Sequence, residues 1–312
     1  MSFLGRLASA APDRPTVLTI GVFDGVHRGH RHLLQKLAEK ARPDCIPGVV
    51  TFTNHPITVL RPDYQLNYIT PLEDKVRLLR EQGMELVVAL DFTPELAGMS
   101  ARDFTGALVE HLRLSGLVVG PDFALGRGRE GDAACLTKLG AEMGFWVETV
   151  PPMLLDGQSV RSRRVREAVR QGDVALAAGL LGRWFSLRGQ VVSGDRRGRE
   201  LGFPTANLAI PSQMLLPADG IYATWATVDG LRHPAATSIG VRPTFGPSRR
   251  LVEVYILDFN ANIYGREVAV EFVSKLRDQA TFSSAAALVE QINGDVANAR
   301  VALASASGAD SP

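Results

Sequence analysis

Two histidines three residues apart, His27 and His30, sit in the chain's densest run of chemically active residues, Gly21-Val22-Phe23-Asp24-Gly25-Val26-His27-Arg28-Gly29-His30. The residues before it, 17–22, form a short apolar run of strand type. Those after it, 28–41, have helical spacing, with Leu33, Leu34, Leu37 and Ala38 on one side. A strand-to-helix junction presents free backbone N–H groups and the positive end of a helix dipole, and both attract phosphate. Gly21, Gly25 and Gly29 let the main chain approach such a group closely. A spacing of three puts both imidazoles on one helical face, where they can hydrogen-bond phosphate oxygens and stabilise a departing pyrophosphate. A second run, Gly198-Arg199-Glu200-Leu201-Gly202-Phe203-Pro204-Thr205-Ala206-Asn207, overlaps an Arg/Gly loop expected at residues 194–202 that can close over phosphates. Thr205 and Asn207 face the same way if that segment is extended. A hydroxyl and an amide oxygen are hard donors suited to Mg²⁺.

The elements that must position these residues alternate in the first half. Apolar strand-type runs at residues 48–52, 85–90, 117–120 and 145–150 are interleaved with amphipathic segments at 100–112 and 133–143. Thr70-Pro71-Leu72-Glu73 reads as a capping box that starts a helix running to about Gln82. Such alternation implies a parallel sheet covered on both faces. Two helices are expected at residues 160–171 and 173–181, separated by Gly172. After Trp184 the chain becomes strand-rich. Asp229-Gly230 between apolar alternations at 221–228 and 231–239 is a hairpin signal. Further strands are expected at 251–257 and 267–273, then a last helix over 283–303. Closely spaced strands of this kind suggest a small β-barrel.

Composition narrows the class. The chain has 312 residues, 21% charged and 46% hydrophobic, with a formal net charge of +1. That excludes a disordered tail protein and, with two cysteines, a disulfide-stapled one. Two domains are the natural expectation for this length. The near-neutral balance argues against nucleic acid as the main partner, and the arginines at 161–170 and 196–199 have no interleaved stacking aromatics. No apolar run is long enough to span a bilayer. Cys45 and Cys135 fit free thiols in a reducing cytoplasm. Gly126-Arg127-Gly128-Arg129-Glu130-Gly131 is a literal GxGxxG, but its first glycine lies well beyond the preceding strand, so a hydride-transfer fold is not indicated. No Gly-x-x-x-x-Gly-Lys-Ser/Thr loop occurs.

The string from Thr19 to His30 resembles the nucleotidylyltransferases, relatives of the class I aminoacyl-tRNA synthetase core. More narrowly, it resembles the FAD synthetase module of the prokaryotic bifunctional riboflavin kinase/FMN adenylyltransferase family. Thr51-Phe52-Thr53-Asn54-His55-Pro56 is similar to that family's Phe-x-Pro-His-Pro loop, with Asn54 where proline is usual. Residues 118–126 are similar to its Val-Gly-x-Asp-Phe-x-Phe-Gly segment and are followed by Arg129. Residues 160–166 are similar to its Ile-Ser-Ser-Thr/Ser-x-Ile/Val-Arg loop, where Ser162 keeps a hydroxyl and Arg161 and Arg163 replace the others. In the second half, residues 198–207 resemble the riboflavin kinase signature nearly letter for letter. Residues 216–223, 238–246 and 252–259 resemble successive kinase segments in order, and Arg277 fits Leu-Arg-x-Glu-x-x-Phe, with Gln279 for the glutamate and Phe282 retained.

The resemblance implies a Rossmann-like α/β nucleotidylyltransferase domain over residues 14–182, helical bridge included, a mostly β small-barrel riboflavin kinase domain over 183–303, and a frayed tail over 304–312. It implies two ATP-dependent steps, riboflavin to FMN and then FMN to FAD with release of pyrophosphate, with Mg²⁺ as cofactor. Small molecules (riboflavin, FMN and ATP) would be the only partners, with neither nucleic acid nor membrane, in the cytoplasm. The oligomeric state stays open. By the same resemblance His27 and His30 would be catalytic. Gly21, Phe23, Asp24, Gly25, Asn54, Asp122, Arg129, Ser162, Arg164 and Arg166 would bind the adenylyl-donating ATP. Gly198, Gly202, Pro204 and Thr205 would bind the phosphates of the kinase ATP, and Thr205 and Asn207 the metal. Glu253, alternating with apolar neighbours on an expected strand, would take the proton of the riboflavin 5′-hydroxyl, and Arg277 and Phe282 would hold the flavin. The alternative, motivated by Arg161 and Arg163, is a riboflavin kinase whose adenylyltransferase half is impaired or silent. A non-catalytic flavin sensor is disfavoured, because sensing needs no base.

Overall fold

The computed structural model describes residues 2–41, 43–194, 202–241 and 250–307. The chain divides into two compact units, Met1–Arg161 and Ser162–Pro312. In the first, strands β1 (Thr16–Ile20), β2 (Ile46–Phe52), β3 (Leu86–Leu90) and β4 (Leu114–Val119) join a later strand (Trp146–Thr149) in a five-stranded parallel sheet. The strand order, by sequence position, runs third, second, first, fourth and last. Both faces are covered. Leu18 and Ile20 of β1 pack with Leu7, Phe104, Leu108 and Leu136 on one side, while Val17 packs with Leu34, Leu37, Leu78 and Leu79 on the other. Fully buried strands of a doubly covered sheet read as continuous apolar runs rather than alternations, which is why these runs stood out in the sequence.

Helix α1 (Arg28–Ala41) is the next element after β1, across the loop of residues 21–27. Helix α2 (Leu72–Glu81) begins with Pro71 as its N-cap, and no side chain caps it. The expected capping box therefore does not form: the backbone N–H groups of Ile69 and Thr70, ahead of the helix, donate to the Asp24 carboxylate instead. The literal GxGxxG occupies a turn between two short paired strands, Ala124–Leu125 and Gly131–Asp132, and its outer glycines pack against Ala101.

The second unit opens with two helices, Ser162–Gln171 and Val174–Leu181. Six antiparallel strands then close a barrel: Phe185–Val192, Ala206–Ala209, Gly220–Val228, Leu231–Val241, Arg250–Ile256 and Glu267–Arg277. Asp229 (φ 49°) and Gly230 (φ 81°) form the left-handed two-residue turn of the expected hairpin, with Val228 opposite Leu231. The last helix, Ala285–Ser307, runs through the first residues of the expected tail, and residues 308–312 lie outside the described residues. Among the described residues no helix is long and apolar enough to cross a membrane.

Candidate functional site

Strand β1 lies between β2 and β4, so the loops leaving the carboxyl ends of β1 and β4 flank the point where strand order reverses. Open α/β sheets bind their ligands there. The loop after β1 turns sharply: Phe23 (φ 52°), Gly25 (φ 87°) and Val26 (φ 37°) are all left-handed. For a β-branched residue such as Val26 this is strained. The turn sinks Phe23 and Val26 into the core, 3% and 0% exposed, and draws in Asp24 and His27, 2% and 4% exposed. The His30 backbone N–H donates to His27 Nδ1 at 3.2 Å, which leaves the His27 ring proton on Nε2. The two imidazoles stack, centroids 3.6 Å apart and 14° from parallel, and Phe23 leans on His30 at 4.9 Å. A side chain at Gly29 would put its Cβ 2.7 Å from the Val160 carbonyl oxygen and 3.2 Å from the His27 ring. Glycine is required there by close approach.

Asp122, in the loop after β4, accepts a hydrogen bond from Arg161 Nη2 at 2.7 Å, and Arg129 Nη2 donates to the Asp122 carbonyl at 2.9 Å. The expected site residues Asp122 and Arg129 are thus together, with Arg161 added to them. Asn54 is engaged elsewhere: its Nδ2 donates to the Phe92 carbonyl at 2.9 Å and its Oδ1 accepts from the Phe92 N–H at 2.8 Å. The amide ties the loops after β2 and β3 together where the family pattern has proline. Ser162, Arg164 and Arg166 lie in the first turns of the helix that opens the second unit.

The sequence reading missed Lys75. This residue of α2 is 5% exposed and donates from Nζ to the carbonyls of Val22, at 3.1 Å, and Phe52, at 2.6 Å. Its signal was faint: a lysine on a helix is by default solvated. Burial pulls its ammonium down to about 8, against the opposing charge of Asp24. In the unfolded chain a lysine keeps its proton to about pH 10.4. Between those values the unfolded state binds more protons, so stability rises with pH. Denaturant unfolding of the first unit from pH 8 to 10 should show the wild type gaining up to about 1.4 kcal/mol per pH unit relative to Lys75→Met. Parallel curves would refute the shift.

In the barrel, cross-strand register places Asn207 opposite Glu253, Glu253 opposite Ser238, Ser238 opposite Ile221 and Ile221 opposite Arg277. Their neighbours Ala206, Leu208, Val252 and Val254 are buried, so the row lies on the outer face. Directly opposed side chains have Cβ atoms about 5 Å apart. A Cβ on Gly194 would sit 2.3 Å from Asn207 Nδ2, so that stretch of backbone lies flush against the amide. Phe203 packs edge-on against Tyr255, two residues from Glu253, and anchors the chain leading through Pro204 to Thr205. Gly202 has φ 87° at the start of this segment, and Gly198 lies outside the described residues. Gln279 Nε2 donates to Ser238 Oγ and the Ile239 carbonyl, beside Glu253's neighbour. Arg277 lies 5.8 Å above the Phe282 ring and is gripped bidentately by Asp295, at 2.8 and 2.7 Å. Asp295 belongs to the last helix and is 4% exposed. Its part was not visible in the sequence, because it comes from an element 18 residues downstream.

The family models described as FAD synthetase and riboflavin kinase match residues 9–164 and 181–303. Bifunctional riboflavin kinase/FMN adenylyltransferases of Escherichia coli K12 and Bacillus subtilis are 40% and 32% identical to this chain, with 94% and 90% of both chains covered. A crystal structure described as a macrolide-efflux protein from Streptococcus pneumoniae superposes with a TM-score of 0.88 at 31% identity, covering 94% of this chain and 96% of that one.

Proposed function

We propose a residue-by-residue division of labour for this chain, which belongs to the bifunctional riboflavin kinase/FMN adenylyltransferase family. The chain phosphorylates riboflavin to FMN with ATP, and transfers AMP from a second ATP to FMN, giving FAD and pyrophosphate. In our reading the first unit performs the adenylyl transfer. His27 Nε2–H and the His30 ring, at the N-terminus of a 14-residue helix, face the phosphates as charge passes to the leaving pyrophosphate. Asp122, Arg129 and Arg161 border that site, and Arg161, paired with Asp122, is a cation the phosphates can recruit. Ser162, Arg164 and Arg166 are assigned to the same nucleotide.

The barrel carries the kinase. Glu253 accepts the proton of the riboflavin 5′-hydroxyl as that oxygen attacks the γ-phosphorus. Thr205 and Asn207 hold Mg²⁺. The donor set fits, because a hydroxyl and an amide oxygen are hard ligands and the Gly194 backbone fixes the Asn207 amide. When bound, the ion neutralises charge on the transferred phosphoryl group. Gly198, Gly202, Pro204 and Thr205 are assigned to the phosphates of the kinase ATP. Arg277 and Phe282 are assigned to the flavin, and a cytoplasmic location belongs to the same proposal.

The observation that carries this reading is the occurrence in one chain of the stacked His27–His30 pair and the Asn207–Glu253 cross-strand pair. Chromatography of flavins after incubation with riboflavin, ATP and Mg²⁺ tests it. FAD should accumulate. FMN that goes no further, even when FMN is supplied, would refute the first unit's role. Asp295→Ala strips Arg277 of its bidentate partner and should raise the riboflavin KM about tenfold, a loss of about 1.4 kcal/mol, with FAD formation from supplied FMN unchanged. An unaltered riboflavin KM would remove Arg277 from the flavin site.

A further inference from the structure

We propose that Lys75 is a positioning residue for adenylyl transfer: its buried ammonium fixes the main chain that presents His27 and His30. The proposal rests on the adenylyltransferase reading of the first unit. Val22 lies just beyond β1, and Phe52 is the last residue of β2. These strands are parallel neighbours whose mutual register ends at Ile20 and Val50, so Val22 and Phe52 lie beyond it. Lys75 Nζ bridges the two, and the Thr51 hydroxyl adds a second bond to Val22 at 3.1 Å. The strap is reciprocal. Lys75 reaches from α2 to the loop backbone, and Asp24 reaches from the loop to the backbone N–H groups of Ile69 and Thr70, ahead of α2. Both charges are buried, at 5% and 2% exposure.

The loop so held is the one with left-handed Phe23 and Val26. Strain of that kind persists only where surrounding contacts over-determine it. The bonds at Val22 and Asp24 bracket Phe23, and His27 follows Val26 directly. If the strap were removed, the loop would relax toward ordinary φ values and carry the imidazoles with it. An apolar residue would fill this volume more stably than a buried ammonium if packing were the only requirement. A lysine here therefore points to a requirement for the donated hydrogen bonds.

The test uses the full-length protein, assayed on each sample for FMN to FAD and for riboflavin to FMN. Lys75→Met should lower kcat for FAD formation about 100-fold, the cost of misplacing a reacting group by about an ångström, with the KM values for ATP and FMN nearly unchanged. Riboflavin phosphorylation in the same sample should stay at the wild-type rate. Lys75→Ala should lose as much and regain about tenfold when propylammonium or butylammonium is added, which a purely structural lysine would not show. If Lys75→Met does not fold, this rescue decides: recovery supports the proposal and its absence overturns it. Wild-type kcat in Lys75→Met, or a defect confined to KM, overturns the proposal while leaving the assignment of the first unit intact. No FAD from the wild-type protein overturns both.

Discussion

Glu253→Gln should reduce FMN formation from riboflavin about 1000-fold in kcat, while FAD formation from supplied FMN continues at the wild-type rate. The substitution conserves volume and exchanges one carboxylate oxygen for an amide nitrogen, which cannot take a proton. General-base assistance is worth roughly 10²–10⁴ in rate. Phosphoryl transfer leaves the protein little else to do besides positioning and charge stabilisation, so the middle of that range is the expectation. Stability should not intervene. Glu253 is half-buried on the outer face between buried Val252 and Val254, and its cross-strand neighbours Asn207 and Ser238 are polar. Glu271 is the control, a half-buried glutamate of the same barrel paired with Arg232 at 2.8 Å. Glu271→Gln should leave both activities alone. Riboflavin kinase activity above a tenth of wild type in Glu253→Gln would assign the base elsewhere.

Much of this arrangement was legible in the sequence, for physical reasons that differ between the halves. The parallel sheet announced itself because both faces of β1 and β2 are buried, so their sequences are mostly apolar, with buried threonines, rather than alternating. The loop after β1 was legible because close approach at Gly29 and positive φ at Gly25 leave few residue types possible. Asn207 and Glu253 were each singled out, but their pairing was not, since register between non-consecutive strands has no local signature. Lys75, Asp295 and the Asn54–Phe92 ring escaped for a related reason. Each is a polar side chain whose meaning lies in a backbone group or guanidinium brought to it by tertiary structure. The capping box misled because Asp24, 46 residues upstream, takes the backbone N–H of Thr70.

His30→Ala should lower FAD formation by about 10²–10³-fold and leave FMN formation from riboflavin untouched. A single preorganised donor aimed at developing oxyanion charge contributes on that scale, and the imidazole also stacks on its partner. The loss should appear in kcat, because charge on the pyrophosphate grows as the bond to the α-phosphorus breaks, so a donor placed there acts mainly on the transition state. His27 is not equivalent to His30. It is buried, and its Nδ1 is tied to the His30 N–H, so His27→Ala also opens a cavity and removes that bond. That variant should lose thermal stability of the first unit as well as rate. Because the rings lie 3.6 Å apart, the two substitutions should not add. The double variant is expected within about tenfold of the worse single one, as for residues that act as a unit. Initial rates of FAD formation from FMN and ATP for the four proteins close the cycle. Simple multiplication of the two losses would mean that the histidines serve separate phosphates rather than one transition state.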